Sequence, residues 1–130
     1  MRLVVDASAV VPFVAHEEDP AVVPFFSAEH ELHAPAICDA EVVGGLAKHV
    51  RVGSLSDSEA RDALIDYVSM PLTRHMHLGL IARTFELSAN FAAADASYVA
   101  LAEALDAGLL TLDRALGRAV TRHTALAVFP

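Results

Sequence analysis

The chain has one cysteine, no tryptophan and a single lysine among its 130 residues. A lone Cys38 excludes an internal disulfide and indicates a reducing compartment. No apolar run approaches the roughly 18 residues that a membrane span needs. In the opening Met1-Arg2-Leu3-Val4-Val5-Asp6, charge interrupts the apolar stretch too early for a secretory signal. Repeats, low-complexity stretches and linkers are lacking, so residues 1–130 read as one domain, soluble and cytoplasmic, with no membrane association. Positive charge is scarce: 9 Lys and Arg stand against 17 Asp and Glu, a formal net charge of -8. That argues against loose binding of nucleic acid, which depends on neutralising phosphates. It leaves room for a nuclease whose acid excess lies in a metal site, or for a basic protein partner.

What the chain has in quantity is apolar residue, 55% of the total. Short apolar runs alternate with longer helical patterns, which implies an α/β fold with a parallel sheet covered on both faces. Strands are expected at Arg2 to Val5, Glu31 to Ala34, Leu72 to Met76, Leu109 to Leu112 and Ala125 to Phe129. Helices are expected from Ser8 to about Ala15 with Pro12 inside, and from Val22 to Ala28. Others run from Ala36 to about Val52 with Gly53 as its cap, from the Ser56–Glu59 capping box to about Met70, and over His77 to Asn90. Two more follow, Asp95 to Ala107 closed by Gly108, and Arg114 to Thr121. His16 to Pro20 is a polar connection.

Four acids stand where these elements begin, end or turn inward: Asp6, Glu41, Asp95 and Asp113. In an open α/β sheet the carboxyl ends of the strands and the adjoining helix starts share one crevice. Carboxylates gathered there repel, each pair at about 4 Å costing on the order of 4 kcal/mol at an effective dielectric near 20. Such a gathering implies a hard divalent cation, Mg²⁺ or Mn²⁺. Taken singly, Asp6, Asp95 and Asp113 are each explained as helix N-caps, worth about 1 kcal/mol. Glu41 resists that reading, because Ile37, Gly44 and Gly45 lie on its face and a carboxylate on a core-facing stripe needs a partner. The Gly44–Gly45 pair implies either a tight helix crossing or room for a substrate. Asp39 points about 200° away from Glu41, toward solvent.

The segments Asp6-Ala7-Ser8, Pro35 with Glu41, Asp95-Ala96-Ser97-Tyr98-Val99-Ala100-Leu101-Ala102 and Leu110-Thr111-Leu112-Asp113-Arg114-Ala115-Leu116 resemble the motifs of PIN-domain ribonucleases. The resemblance is closest to the VapC-type toxins of bacterial toxin–antitoxin pairs and spans essentially the whole chain. It implies a five-stranded parallel sheet in the order 3-2-1-4-5 between helices, with Asp6 and Asp113 on neighbouring strands. It also implies an acidic site of Asp6, Glu41, Asp95 and Asp113, the three aspartates holding Mg²⁺ or Mn²⁺, with Ser8 and Thr111 as supporting hydroxyls. A cognate VapB-type antitoxin and a homodimer are expected from the same resemblance. The activity expected is metal-dependent endoribonuclease; a non-catalytic PIN-like scaffold for RNA or protein is the alternative. A phosphoacceptor receiver domain is disfavoured, since it wants adjacent acids after the first strand and a lysine after the last, and the lysine here is Lys48.

Arg114 and Arg118 share a helix face directly after Asp113 and are candidate RNA contacts. RNA specificity is expected in the loop after Ala15 and in residues 44 to 58. His75-x-His77 and His30-x-x-His33 have chelating spacings, the former pair on one strand face, but no third ligand completes a zinc set. Met70 and Met76 read as core.

Overall fold

The computed structural model describes residues 1–17 and 19–130; Glu18, in the expected polar connection, lies outside the described residues. Five strands form one parallel sheet: β1 (Arg2–Val5), β2 (Glu31–Pro35), β3 (Leu72–His75), β4 (Gly108–Leu110) and β5 (Val128–Phe129). Their spatial order is β3-β2-β1-β4-β5, as the resemblance implies. Central β1 pairs on one side with β2, Leu3 opposite Leu32, and on the other with β4, Val4 opposite Leu109. Leu3, Val4, Val5, Leu109 and Leu110 are all fully buried, which is why these strands read as continuous apolar runs.

Six helices flank the sheet: α1 (Ala7–Val14), α2 (Cys38–Arg51), α3 (Asp57–Ser69), α4 (Ile81–Leu87), α5 (Ala93–Leu105) and α6 (Arg114–His123). Helices α1, α2 and α3 pack on one another, while α5 lies against β1, β2 and β4 with α4 on its outer side. The Ser56–Glu59 capping box opens α3 with both reciprocal hydrogen bonds, and Gly53 takes the left-handed φ of 81° just past α2. No helix among the described residues is long and apolar enough to cross a membrane.

The expected boundaries shift where local chemistry competes with periodicity. The helix expected over His77 to Asn90 is a 3₁₀ turn at Leu78–Leu80 followed by the short α4, and Val22 to Ala28 contains only a 3₁₀ turn at Val23–Phe26. Strand β5 keeps two of its expected five residues. Gly108 does not close α5; Asp106 does, in the left-handed region at φ 50°. Gly108 instead opens β4, where an added Cβ would lie 2.6 Å from Phe129 Cε2 and 3.3 Å from Leu3 Cδ2. Gly45 has a comparable role, its position lying 2.9 Å from Val11 Cγ2 and fixing the close crossing of α1 and α2, whereas Gly44 faces open space.

Four side-chain expectations are corrected. His77 lies beyond the end of β3, so it does not share a strand face with His75. His75 Nε2 instead lies 2.9 Å from His33 Nδ1 on the neighbouring strand, leaving His33 without His30 as a chelating partner. Met76 is 78% exposed, because the chain leaves the sheet at His75. Asp39 does not simply face solvent. It accepts hydrogen bonds from the Tyr67 hydroxyl and Arg74 Nε, which hold its carboxyl below the ordinary range despite the opposing effect of burial.

The two glycine environments give opposite expectations. Gly44→Ala, in an exposed helix interior with nothing to strike, should stabilise the chain by about 1 kcal/mol. Gly108→Val, which must displace Phe129 and Leu3, should destabilise it by about 1–3 kcal/mol. Urea unfolding of both variants checks the pair.

Candidate active site

Asp6 follows β1 at its carboxyl end and is only 7% exposed. It occupies the N-cap position of α1 with extended backbone, yet its side chain makes no capping bond. Its Oδ2 instead accepts from Ser8 Oγ at 2.6 Å and from Thr111 Oγ1 at 2.9 Å. Both hydroxyls in turn accept from backbone, Ser8 from the Leu112 N–H and Thr111 from the Asp113 N–H, each at 3.0 Å. A hydroxyl that accepts from an amide and donates to a carboxylate has no rotational freedom left. Asp6 Oδ1 has no hydrogen-bond partner among the described residues and stays available.

The other three acids reach the same place from different elements. Asp113 is the one acid for which capping holds: it is the N-cap of α6, its Oδ1 accepting the Leu116 N–H at 3.1 Å. Asp95 lies inside the first turn of α5, after the N-cap Ala92, and makes no capping bond. Glu41 lies in the first turn of α2, and its Oε1 accepts from the Tyr98 hydroxyl at 2.6 Å. The four carboxylates line one open groove of about 440 Å³ together with Ser8, Gly45 and His49. Among the described residues no lysine or arginine lines it.

The electrostatics follow from that census. Burial, then the charges of Asp6, Asp113 and Glu41, raise the Asp95 carboxyl above its ordinary pKa. Behind the groove, burial and its contacts with Cys38 and Glu41 push the Tyr98 hydroxyl far up, so it is neutral and donates to Glu41. Burial likewise raises Cys38, which is fully enclosed beneath Glu41 and inert as a thiol.

Hard oxygen donors without a competing cation suit Mg²⁺ or Mn²⁺. Among the described residues no three acidic, histidine or cysteine side chains already converge tightly enough to enclose an ion. The donor set therefore fits a cation held by one or two carboxylates with water completing its shell, the habit of Mg²⁺.

Two residues, one behind the groove and one lining it, were not anticipated from the sequence. Tyr98, three residues after Asp95, reaches Glu41 across the helix packing. His49 shares the Glu41–Gly45 face of α2 at i+8, a spacing that was available to find it. Ser54 Oγ donates to the His49 carbonyl and so accepts from His49 Nδ1 at 2.7 Å, which fixes the imidazole tautomer when neutral. Arg114 and Arg118 flank the acids without lining this groove; both line a neighbouring one.

A raised carboxyl pKa has a definite sign for stability. The folded chain holds the Asp95 proton more tightly than the unfolded chain does. The associated stability is therefore fully present below the ordinary aspartate pKa of about 3.9 and is lost as pH rises through the raised value. In chelator near neutral pH, Asp95→Asn should melt at a higher temperature than the parent. Melting scans should show the gap closing below about pH 3.9.

Residues 3–120 match the PIN domain family. Ribonuclease VapC9 of Mycobacterium tuberculosis is 36% identical over 128 residues, covering 98% of each chain. Ribonuclease VapC3 of the same organism is 38% identical over 119 residues, covering 91% of this chain and 87% of its own. Among solved structures, VapBC2 from Rickettsia felis, bound to a DNA fragment from its promoter, superposes with a TM-score of 0.70 at 16% identity, covering 98% of this chain and 97% of that one. The fold, the matched residues and the identity to these ribonucleases agree: the chain belongs to the PIN-domain family, among the VapC ribonucleases.

Proposed function

We propose that this chain is a metal-dependent endoribonuclease and the toxin of a toxin–antitoxin pair. The observation that carries the reading is the groove: four carboxylates from four elements face it, and among the described residues no lysine or arginine lines it. The names of the relatives supply the substrate class, RNA.

Asp6 and Asp95 are the principal candidates to hold Mg²⁺ or Mn²⁺, directly or through water, with Asp113 completing the acidic wall. When bound, the ion would supply a water of lowered pKa and offset charge on the phosphoryl oxygens during in-line attack. Ser8 and Thr111 keep Oδ2 of Asp6 fixed, and its Oδ1 has no hydrogen-bond partner among the described residues. Glu41, oriented by Tyr98, is the candidate to position or deprotonate the attacking water. Arg114 and Arg118 are candidate contacts to RNA beside the acids.

A VapB-type antitoxin is the proposed partner, and the Rickettsia VapBC2 pair supports it. A basic segment would complement the acidic groove. A second copy of the chain is the proposed occupant of another surface. Leu78, Ile81 and Phe85 lie at helical spacing beyond β3 and are 82%, 55% and 80% exposed, with exposed Met76 beside them in sequence. Exposed apolar residues gathered in this way mark an interface more often than a solvated face.

Purified protein should cleave RNA with added Mg²⁺ or Mn²⁺ and not with EDTA, and Asp6→Asn and Asp95→Asn should abolish cleavage. Thr111→Val, which removes the hydroxyl that holds Asp6 and the Asp113 N–H, should lower activity roughly 10–100-fold. Equal activity in the aspartate variants would sink the assignment. A flat calorimetric titration with Mn²⁺ on correctly folded protein would select the scaffold alternative. For the second copy, sedimentation at micromolar concentration should show a dimer that Phe85→Asp converts to monomer.

A further inference from the structure

A second groove, of about 900 Å³, lies between α6 and the end of β5. Asp113 lines both grooves, so the two meet at the start of α6. Leu112, Val128 and Phe129 give it an apolar floor, and Asp19 also lines it.

The distribution of positive charge singles this groove out. Four of the 9 basic side chains are engaged by carboxylates: Arg2 by Glu31, Arg61 by Asp57, Arg74 by Asp39, and Arg83 by Glu86 and Glu103. Arg114, Arg118 and Arg122 line the groove and have no salt-bridge partner among the described residues. They recur every four residues on one face of α6, about 6 Å apart, a ladder of about 12 Å. The repeat is comparable with that of phosphates along an extended strand. Helix stability explains only part of it: Arg122 sits in the last turn, where the dipole favours a cation, but Arg114 sits in the first turn, at the positive end, where a cation is disfavoured. Gly117, between the rungs, leaves the groove open toward Val128.

We propose that this groove is a binding subsite for single-stranded RNA leading out of the acidic groove. Phosphates lie along Arg114, Arg118 and Arg122, and a nucleobase rests against Phe129 and Val128. The inference rests on the ribonuclease reading above. A guanidinium matches a phosphate in bidentate geometry, and an aromatic floor beside a cationic track is how single strands are held without sequence readout. A strand that presents a phosphodiester to four carboxylates needs cationic support immediately beside them, and Asp113 makes the two grooves adjacent. An acidic peptide would share the arginines but would gain nothing from running toward those carboxylates.

The test is fluorescence anisotropy in EDTA with a short labelled single-stranded RNA of mixed sequence, with folding checked by circular dichroism. In R118Q/R122Q, binding should weaken and the slope of log K against log salt should fall by about 1.4, roughly 0.7 per lost phosphate contact. Gly117→Leu, which fills the groove and leaves the arginines, should weaken RNA binding and raise KM without lowering kcat. Unchanged affinity and slope in R118Q/R122Q, or no RNA binding by the parent, overturns the proposal. So does tighter binding of a polyglutamate peptide than of RNA, lost in the same variant, which would give the groove to an acidic protein segment. Weakened RNA binding with no Mg²⁺-dependent cleavage by either protein would leave the subsite standing and remove the nuclease reading. Cleavage by the parent, with equal binding and cleavage by the variant, would do the reverse.

Discussion

The structure turns on one buried charge. The Asp6 carboxylate sits at the end of the central strand, 7% exposed, with no cation beside it among the described residues. Taking a carboxylate out of water costs several kcal/mol, and hydrogen bonds to a charged group return about 1.5–3 kcal/mol each. Ser8 and Thr111 supply two such bonds to one oxygen. Their hydroxyls are themselves held by the N–H groups of Leu112 and Asp113, so the turn after β4 is latched onto the end of β1. Asp113, carried on that latched turn, is thereby set beside Asp6 as the cap of α6.

All four acids stand at helix starts: Asp6 and Asp113 at N-caps, Glu41 and Asp95 in first turns. The fold thus aims four helix N-termini at one groove, and their partial positive charge favours carboxylates there. Each dipole is worth only about 0.3–1 kcal/mol at exposed positions. A pair of carboxylates at close range costs on the order of 4 kcal/mol. The helices lessen the repulsion without cancelling it, and what remains adds to burial in raising the Asp95 carboxyl. That residue of unbalanced charge is the physical case for the proposed cation.

Four of the five strands were legible because buried parallel strands are written as apolar runs, such as Leu3-Val4-Val5 and Leu109-Leu110, whereas the sheet order followed only from the resemblance to PIN-domain ribonucleases. Strand ends were less so. Thr111 extends an apolar run in sequence, yet its hydroxyl serves Asp6, and β4 ends at Leu110. Capping was the natural account of Asp6, Asp95 and Asp113, and it holds for Asp113 alone, because the choice between a cap and a groove depends on which neighbours reach the carboxylate. Glu41 announced itself as a carboxylate on the wrong face, but its partner, Tyr98, lies 57 residues away and no local pattern encodes that distance. Asp39 went the other way: solvent-facing by helical angle, it is held by Tyr67 and Arg74 from two other elements.

Helix α5 explains why Glu41 and Asp95 cannot be positioned independently. It carries Asp95 in its first turn and Tyr98 one turn further on, and its buried face lies against β1, β2 and β4. Tyr98 is fully enclosed, so its hydroxyl cannot turn to water and must keep its bond to Glu41. Moving α5 along the sheet would shift a groove carboxylate and the donor that orients another by the same amount. The geometry of two acids is therefore set by the packing of one helix, whose Ala96, Val99, Ala100 and Ala102 are small and buried. Small residues at that contact bring the α5 backbone close to the sheet, and closeness is what lets a side chain as short as aspartate reach the groove.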